Sequence, residues 1–236
     1  MRGFIVMAMF LTSFANAAWK DYSETRDLEL DAADIGELKI HAGAGGMAIK
    51  GVSGLDRITV KATVIVPDAD KDEAIKVIEK KMKLSLLDKG GRAQLDSWFE
   101  DGWFGTGSSA RIDLEIKVPA SIAVTIEDGS GSIDVEDVLA DLSIEDGSGS
   151  IGLKNIASVS IDDGSGSIDV SMVAGDVSIV DGSGSIEVRS VHGSVTIDDG
   201  SGSIKVIDVE KDLIIVDDGS GGVSFSDVRG TVEQDS

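Results

Sequence analysis

The residues whose type and spacing could do chemistry are six aspartates, each at the start of a repeated tetrapeptide. Asp-Gly-Ser-Gly returns at intervals of 18, 17, 18, 18 and 19 residues. So regular a repeat predicts that the six carboxylates stack along one edge of the molecule. Carboxylate oxygens are ligands that Ca²⁺ prefers, so this column is a candidate metal site, with calcium as the only cofactor considered. The six are Asp128, Asp146, Asp163, Asp181, Asp199 and Asp218.

The same aspartates also have a purely structural explanation. Aspartate at the first position of a turn accepts a hydrogen bond from the backbone two residues on, and glycine supplies positive φ. Against it, carboxylates about 4.8 Å apart repel by ~0.9 kcal/mol in water, and a cation would offset that cost. The turn differs from the calcium-binding Gly-Gly-x-Gly-x-Asp repeat, because its sixth position is isoleucine or valine. Both hypotheses stay open at this point.

A second candidate site is an aromatic segment. Four of the ten aromatic residues fall within seven positions, at Trp98, Phe99, Trp103 and Phe104. Clustered exposed aromatics are typical anchors for a partner or a sugar. The alternative is that they cover an exposed end of a repeat structure, where unpaired strand edges need protection.

No constellation of catalytic residues is recognisable. The only two histidines, His41 and His192, are far apart in the sequence. The serines lie in Gly-Ser-Gly turns and not in the Gly-x-Ser-x-Gly elbow of hydrolases, and no phosphate-binding loop occurs. A glycan-cleaving site would arise where one repeat differs from its neighbours, whereas these acidic positions recur identically. We therefore expect a protein that is not an enzyme, with a glycan-active enzyme as the weakest alternative.

The composition excludes further classes. The chain has 43 acidic and 21 basic side chains, a net charge of −22 and no cysteine. This charge argues against a nucleic-acid surface and against electrostatic docking on anionic lipid. Without cysteine there is no disulfide framework or thiolate metal site. With 42% hydrophobic residues, the chain is too apolar to be disordered by composition.

Residues 1–17 have the pattern of a secretory signal peptide. Arg2 precedes an apolar run that ends at Leu11, and Ala15-Asn16-Ala17 follows as a cleavage site. The run is far shorter than the roughly 20 residues of a membrane-spanning helix. We expect cleavage near Ala17-Ala18, export to the periplasm or the exterior, and no stable membrane insertion.

The repeats themselves predict the fold. Each copy contains two apolar-x-apolar stretches, so equivalent residues form five apolar columns with strand spacing. One copy cannot bury its own apolar face, but stacked copies bury a continuous core. The sequence therefore predicts an all-β protein, a parallel β-solenoid or β-helix of about 18 residues per coil with two short strands in each. The first column contains Ile133, Ile151, Ile168, Ile186, Ile204 and Val223.

The rest of the chain is less regular. Residues 38–52 resemble a degenerate first coil, followed by Ile58 and Val60. A helix is predicted over 70–83, and a hairpin over 83–87 and 92–96, as a small insertion. Alternation resumes at Ile112 in a strand that Pro119 closes, and the coils are then expected to continue uninterrupted. The predicted organisation is a signal peptide (1–17), N-terminal strands with the degenerate coil (18–67), a helix and aromatic-rich insertion (68–110) and the regular solenoid (111–236).

The Gly-Ser-Gly-x-Ile turns, the Val118-Pro119 pair and the Gly175-Asp176-Val177 strand opening resemble the bacterial putative-adhesin β-solenoid family. That family is in turn similar to auto-transporter adhesin head domains. The resemblance extends from Leu28 to Val232 and is weakest over 68–110. It implies an exported or envelope-associated solenoid. Because the family is of largely unknown function, the resemblance gives no catalytic residues to transfer.

The expected function is therefore a binding or scaffolding module of the cell envelope, adhesin-like, with an envelope protein or a glycan as partner. An acidic, calcium-binding structural protein is the main alternative.

Overall fold

The structure, a computed structural model, describes residues 21–100 and 110–234. The expected signal peptide and two of the aromatic residues, Trp103 and Phe104, lie outside the described residues. The described part is a parallel β-solenoid made of two ten-stranded sheets with one short helix. This confirms the fold class expected from the repeats.

The N-terminal part contains the helix and six strands, which are β1 (Tyr22–Asp31), β2 (Glu37–Ala42), β3 (Met47–Val52), β4 (Arg57–Val66), α1 (Lys71–Lys81), β5 (Met82–Asp88) and β6 (Arg92–Phe99). The remaining strands are β7 (Arg111–Pro119), β8 (Ala123–Asp128), β9 (Ile133–Glu136), β10 (Asp141–Asp146), β11 (Gly149–Ile156), β12 (Ser158–Asp163), β13 (Gly166–Val173), β14 (Val177–Asp181), β15 (Gly184–Val191), β16 (Val195–Asp199), β17 (Gly202–Val209), β18 (Leu213–Asp217), β19 (Gly222–Val228) and β20 (Val232–Gln234).

Each regular coil contributes one strand to each sheet. Sheet A has the order β1-β4-β7-β3-β9-β11-β13-β15-β17-β19, and sheet B has the order β20-β18-β16-β14-β12-β10-β8-β2-β6-β5. From β8 onwards all pairs are parallel and join equivalent residues, as in Ile151 with Ile168 and Ile144 with Ile161. These isoleucines are at most 2% exposed, so the apolar columns are the core.

The glycine of each motif that follows the serine has a backbone requirement. In Gly131, Gly149, Gly166, Gly184 and Gly202, φ lies between 139° and 151°. A Cβ on any of them would overlap the carbonyl oxygen of a glycine in the neighbouring coil. The regular glycine spacing therefore reflects how closely the backbones of stacked coils approach at this corner.

The N-terminal end has a different construction. Strand β4 pairs antiparallel with both β1 and β7, and β5 pairs antiparallel with β6 as the expected hairpin. Helix α1 begins after Asp70, whose side chain accepts hydrogen bonds from the backbone of Asp72 and Glu73. It buries Ala74 and Ile78. The helix predicted over 70–83 is thus confirmed, with a slightly earlier end.

The spatial order of the first coils differs from their order in the chain. Strands β6 and β7 stack on β2 and β3, whose other neighbours are β8 and β9. The strand that resumes at Ile112 does not stack directly on the regular coils, because the degenerate coil lies between β7 and β9. After Pro119 the coils continue uninterrupted, as expected. The segment that contains β6 also supplies a full strand of sheet B. The apolar patterns of these coils are alike, so the pattern alone does not indicate which coils are neighbours.

Candidate functional site

The predicted aspartate column exists, and it lies inside the solenoid. Asp146 pairs with Asp128 and Asp163, and Asp181 pairs with Asp163 and Asp199. All five are between 0% and 9% exposed. Because successive side chains of a strand point to opposite faces, Asp146 shares the inner face with Ile144, while Glu145 points outward. The five motif aspartates therefore do not form the expected acidic edge, and the acids that precede most of them face solvent.

Each buried aspartate except the first forms the expected turn hydrogen bond. The backbone N–H two residues on donates to Oδ1 at 3.3, 3.2, 3.2 and 3.0 Å, and the four donors are Ser148, Ser165, Ser183 and Ser201. The second oxygen, Oδ2, is buried in each of these four residues and has no hydrogen-bond partner among the described residues. The structural turn explanation is thus correct for Oδ1 of these four carboxyls, but it does not explain the burial of Oδ2.

The two ends of the column depart from this pattern. At Asp128 both oxygens lack a partner, because the N–H of Ser130 donates instead to the carbonyl of Gly43, at 2.8 Å. At the other end β18 ends at Asp217, and Asp218 lies outside the strand and outside the buried column. It is half-buried and accepts a hydrogen bond from Gln234 at 2.9 Å. The six predicted residues thus become a column of five.

Burial raises the pKa of all five aspartates, and neighbouring carboxylates add to the effect. The pKa of Asp128 is raised to about 6 by burial and then by the charge of Asp146. Burial likewise raises the pKa of Asp181 to about 6. Within residues 21–100 and 110–234, no three His, Cys, Asp or Glu side chains are grouped so as to hold a metal ion. Calcium binding to the column stays a prediction.

The two described aromatic residues lie at the end of β6. Phe99 is partly buried against the core, and Trp98 lies beside Gly43, where a Cβ would be 3.0 Å from the Cβ of the tryptophan. Both line a groove of about 950 Å³, whose other walls include Val66 and Val77. The groove fits either role considered for the aromatic segment, a cover for the coil end or a contact site.

His41 belongs to a charged cluster that the sequence does not reveal. Its Nδ1 lies 3.1 Å from Oδ1 of Asp96, and its Nε2 lies 2.9 Å from Oε2 of Glu127. The hydrogen bond from Lys39 lowers the pKa of Glu127. Ser85 donates to Asp96 at 3.3 Å and not to the histidine, so the arrangement is not a serine–histidine–aspartate triad. The cluster joins β6, β2 and β8, which are distant in the chain.

The outer face of sheet B carries two regular rows. One is a row of five hydroxyls in direct register across β8, β10, β12, β14 and β16. These are Thr125, Ser143, Ser160, Ser178 and Thr196. Beside it runs an acidic row in which Glu127, Glu145 and Asp162 are successive partners. Val180 interrupts this row before Asp198.

The fold and these features define a parallel β-solenoid with a buried carboxylate column and a polar, acidic outer face. No family model matches the chain, and no curated protein matches it. Several solved structures are similar. A "putative cell adhesion protein" of Clostridium sporogenes is 12% identical with a TM-score of 0.36, over 92% of this chain and 100% of the other.

Two proteins of Parabacteroides distasonis are also similar. A "putative lipid binding protein" is 14% identical with a TM-score of 0.46, over 90% of this chain and 94% of the other. A "putative adhesin" is 13% identical with a TM-score of 0.30, over 92% and 97%. Function is therefore argued from the residues of this chain. No helix within the described residues has the length and hydropathy to cross a membrane.

Proposed function

We propose that this protein is an exported, non-enzymatic binding module of the bacterial envelope, and that it engages its partner through the outer face of sheet B. The observation that carries the proposal is the pair of parallel rows on this face, one of hydroxyls and one of carboxylates. Each coil from β8 to β16 adds a hydroxyl, and each except the coil of Val180 adds a carboxylate, at a spacing of about 4.8 Å. Such a surface binds its partner over an extended area, through many similar contacts, and not through a pocket.

The chemistry of the two rows points to one class of partner. Exposed carboxylates attract lysine and arginine side chains, and hydroxyls donate and accept hydrogen bonds. A basic segment of an envelope protein supplies both kinds of partner group. A glycan would use the hydroxyl row and is the second candidate. Export rests on the signal-peptide pattern of residues 1–17, and mass spectrometry of the mature protein should find Ala18 at its N-terminus.

The partner is sought by capture from envelope extracts with the immobilised mature protein. The test variant is Asp162→Lys on the outer face of sheet B. The matched control is Asp134→Lys on the outer face of sheet A, where another exposed aspartate without an ion pair undergoes the same charge change. We expect Asp162→Lys to abolish capture and Asp134→Lys to retain it.

A third variant tests the aromatic groove as an alternative contact site. Trp98→Ala should retain both the fold and the captured partner. Loss of capture in Trp98→Ala with retention in Asp162→Lys would assign binding to the groove and contradict the proposed face. Capture that survives all three substitutions would contradict both sites, and circular dichroism of each variant verifies that it is folded.

A further inference from the structure

The buried aspartate column has a geometry that the turn hydrogen bonds do not explain. Five carboxyls occupy equivalent positions in adjacent coils, about 4.8 Å apart. Four of them satisfy one oxygen and leave Oδ2 buried without a partner, and Asp128 leaves both. Buried polar atoms without a partner are rare in folded proteins, because each costs desolvation free energy. The turn hydrogen bonds therefore explain only part of the column's polar groups.

Among the described residues, the surroundings of the column are apolar or acidic. None of the ion pairs formed by the described residues includes any of the five aspartates. The other inner positions of the strands around it are isoleucine, valine and leucine. At one end Asp199 meets the charges of Asp217, Asp218 and Asp198, and beside Asp163 lies Asp162. At the other end β2 continues past His41 with Ala42.

An array of this kind cannot stay fully ionised without cost. Burial disfavours the charged form of each carboxyl, and the neighbours disfavour it further. A carboxylate oxygen without a donor can be satisfied by becoming the O–H donor itself, since a neutral carboxyl has one donor and remaining acceptor capacity. The oxygen of the next carboxyl along the column is the nearest group of the same kind. A proton needs no ligands beyond the carboxyls themselves, whereas the described residues contain no cluster that could hold a metal ion.

We propose that the five stacked aspartates form a proton-binding column, which takes up protons in mildly acidic solution and thereby stabilises the folded solenoid. Neutral carboxyls in neighbouring coils then share hydrogen bonds along the column, where two carboxylates would repel. The ligand of this internal site is the proton, and its effect is independent of whatever binds the outer face.

The direction of the effect follows from linkage. The folded protein holds these protons at higher pH than the unfolded chain, whose aspartates have a pKa of about 3.9. Folded-state values reach about 6 at Asp128 and Asp181. The contribution to stability is thus complete below about pH 4 and is lost as pH rises through about 6.

The main experiment compares melting temperatures at pH 5.0 and pH 7.5. Wild type should melt about 4 °C or more higher at pH 5.0. The triple variant Asp146→Asn, Asp163→Asn, Asp181→Asn keeps the acceptor oxygen and removes three buried charges. It should melt above wild type at pH 7.5 and lose most of the pH dependence. The control variant Glu145→Gln, Asp162→Asn removes two charges from the outer face and should keep the pH dependence.

His41 lies between two carboxylates and is the alternative origin of a pH-dependent melting temperature that the experiment must separate. The variant His41→Ala is therefore measured in parallel and should keep most of the wild-type difference. If His41→Ala abolishes that difference and the triple asparagine variant does not, the proposal is wrong. An unchanged melting temperature of wild type between the two pH values would overturn it as well.

A second measurement serves if the triple variant does not fold. In wild type labelled with ¹³C at the aspartate carboxyls, several resonances should titrate above pH 5. If every aspartate resonance titrates below pH 4.5, no proton column exists. A measurement with calcium distinguishes proton binding from calcium binding. Millimolar calcium chloride at pH 7.5 should leave the melting temperature unchanged. A large rise that the triple variant lacks would assign the column to calcium and refute proton binding.

Discussion

Gly166 offers the sharpest test of why the turns repeat. Its φ is 150°, and a Cβ there would overlap the carbonyl oxygen of Gly149. The conformation alone costs a residue with a side chain about 1–3 kcal/mol. The overlap also separates the coils at the hydrogen bonds Gly149 N–H to Ser165 and Gly164 N–H to Asp146, both 2.9 Å long. At about 1 kcal/mol each, these bring the expected loss for Gly166→Ala to about 3–5 kcal/mol.

Three other glycines distinguish the cost of a positive φ from the cost of the overlap between an added Cβ and the neighbouring coil. Gly36 has neither feature, because its φ is ordinary and nothing lies near an added Cβ. Gly54 has a φ of 75° with open space around it. Gly147 has an ordinary φ, but its Cβ would lie 2.6 Å from the carbonyl oxygen of Gly129. Alanine should cost within about 0.5 kcal/mol at Gly36, about 1 kcal/mol at Gly54 and about 1–3 kcal/mol at Gly147.

The assay is urea unfolding at 25 °C followed by far-ultraviolet circular dichroism, with the four variants compared at equal protein concentration. Gly166→Ala should lower the free energy of unfolding by about as much as Gly54→Ala and Gly147→Ala together, because Gly166 combines a positive φ with a close backbone contact. If Gly166→Ala is no more destabilising than Gly54→Ala, close approach of the coils does not explain the glycine repeat. If Gly147→Ala leaves the free energy of unfolding unchanged, the backbone at this corner shifts more easily than its short distances suggest.

Three further substitutions have defined outcomes. Met172 has a φ of 60° at a corner where the preceding coil has Asn155, so Met172→Asn should raise the free energy of unfolding by about 1 kcal/mol in urea titration. His41→Ala leaves Asp96 and Glu127 without their shared partner, and it should speed hydrogen exchange in β2 and its neighbours before the distal coils are affected. Asp70→Ala removes the N-cap of α1 and should cost about 1 kcal/mol by thermal unfolding, whereas an unchanged stability would mean the helix does not contribute to the cooperative unit.

The regular part of the fold is predictable because its determinants are local and repeated. Alternation in Ile133 and Val135 marks one strand, and Leu142 and Ile144 mark the next, with a turn between them. A chain that repeats this pattern buries each apolar residue only against its own equivalent, as Ile151 does against Ile133 and Ile168. Sequence reasoning therefore identifies the sheets, their register and the core of the solenoid.

The order of the first coils could not be obtained in this way. Leu38 and Ile40 pair with Val124 and Ile126 on one side and with strand β6 on the other. Several coils offer similar apolar residues, so the choice among them depends on long-range packing and on the antiparallel strands at the N-terminal end. The cluster around His41 follows from this order and was invisible for the same reason.

The inward direction of the aspartates could have been found from the sequence. Asp146 comes two residues after Ile144, and strand alternation puts both on one face. The turn chemistry of Asp-Gly-Ser-Gly suggested a loop position, which hides this alternation. The loss of Asp218 from the column is of another kind, because β18 ends one residue earlier, at Asp217.

Glu145 and Asp146 bring the two proposals together, because adjacent residues of one strand face opposite sides of the sheet. If the outer row binds a partner and the inner column binds protons, substitutions at these two positions must have separate effects. Glu145→Gln should weaken capture of the envelope partner and leave the difference in melting temperature between pH 5.0 and 7.5 unchanged. Asp146→Asn should reduce that difference and leave capture unchanged. A variant that alters both properties would mean that the two faces are coupled through the coil, contrary to the independence of the two sites.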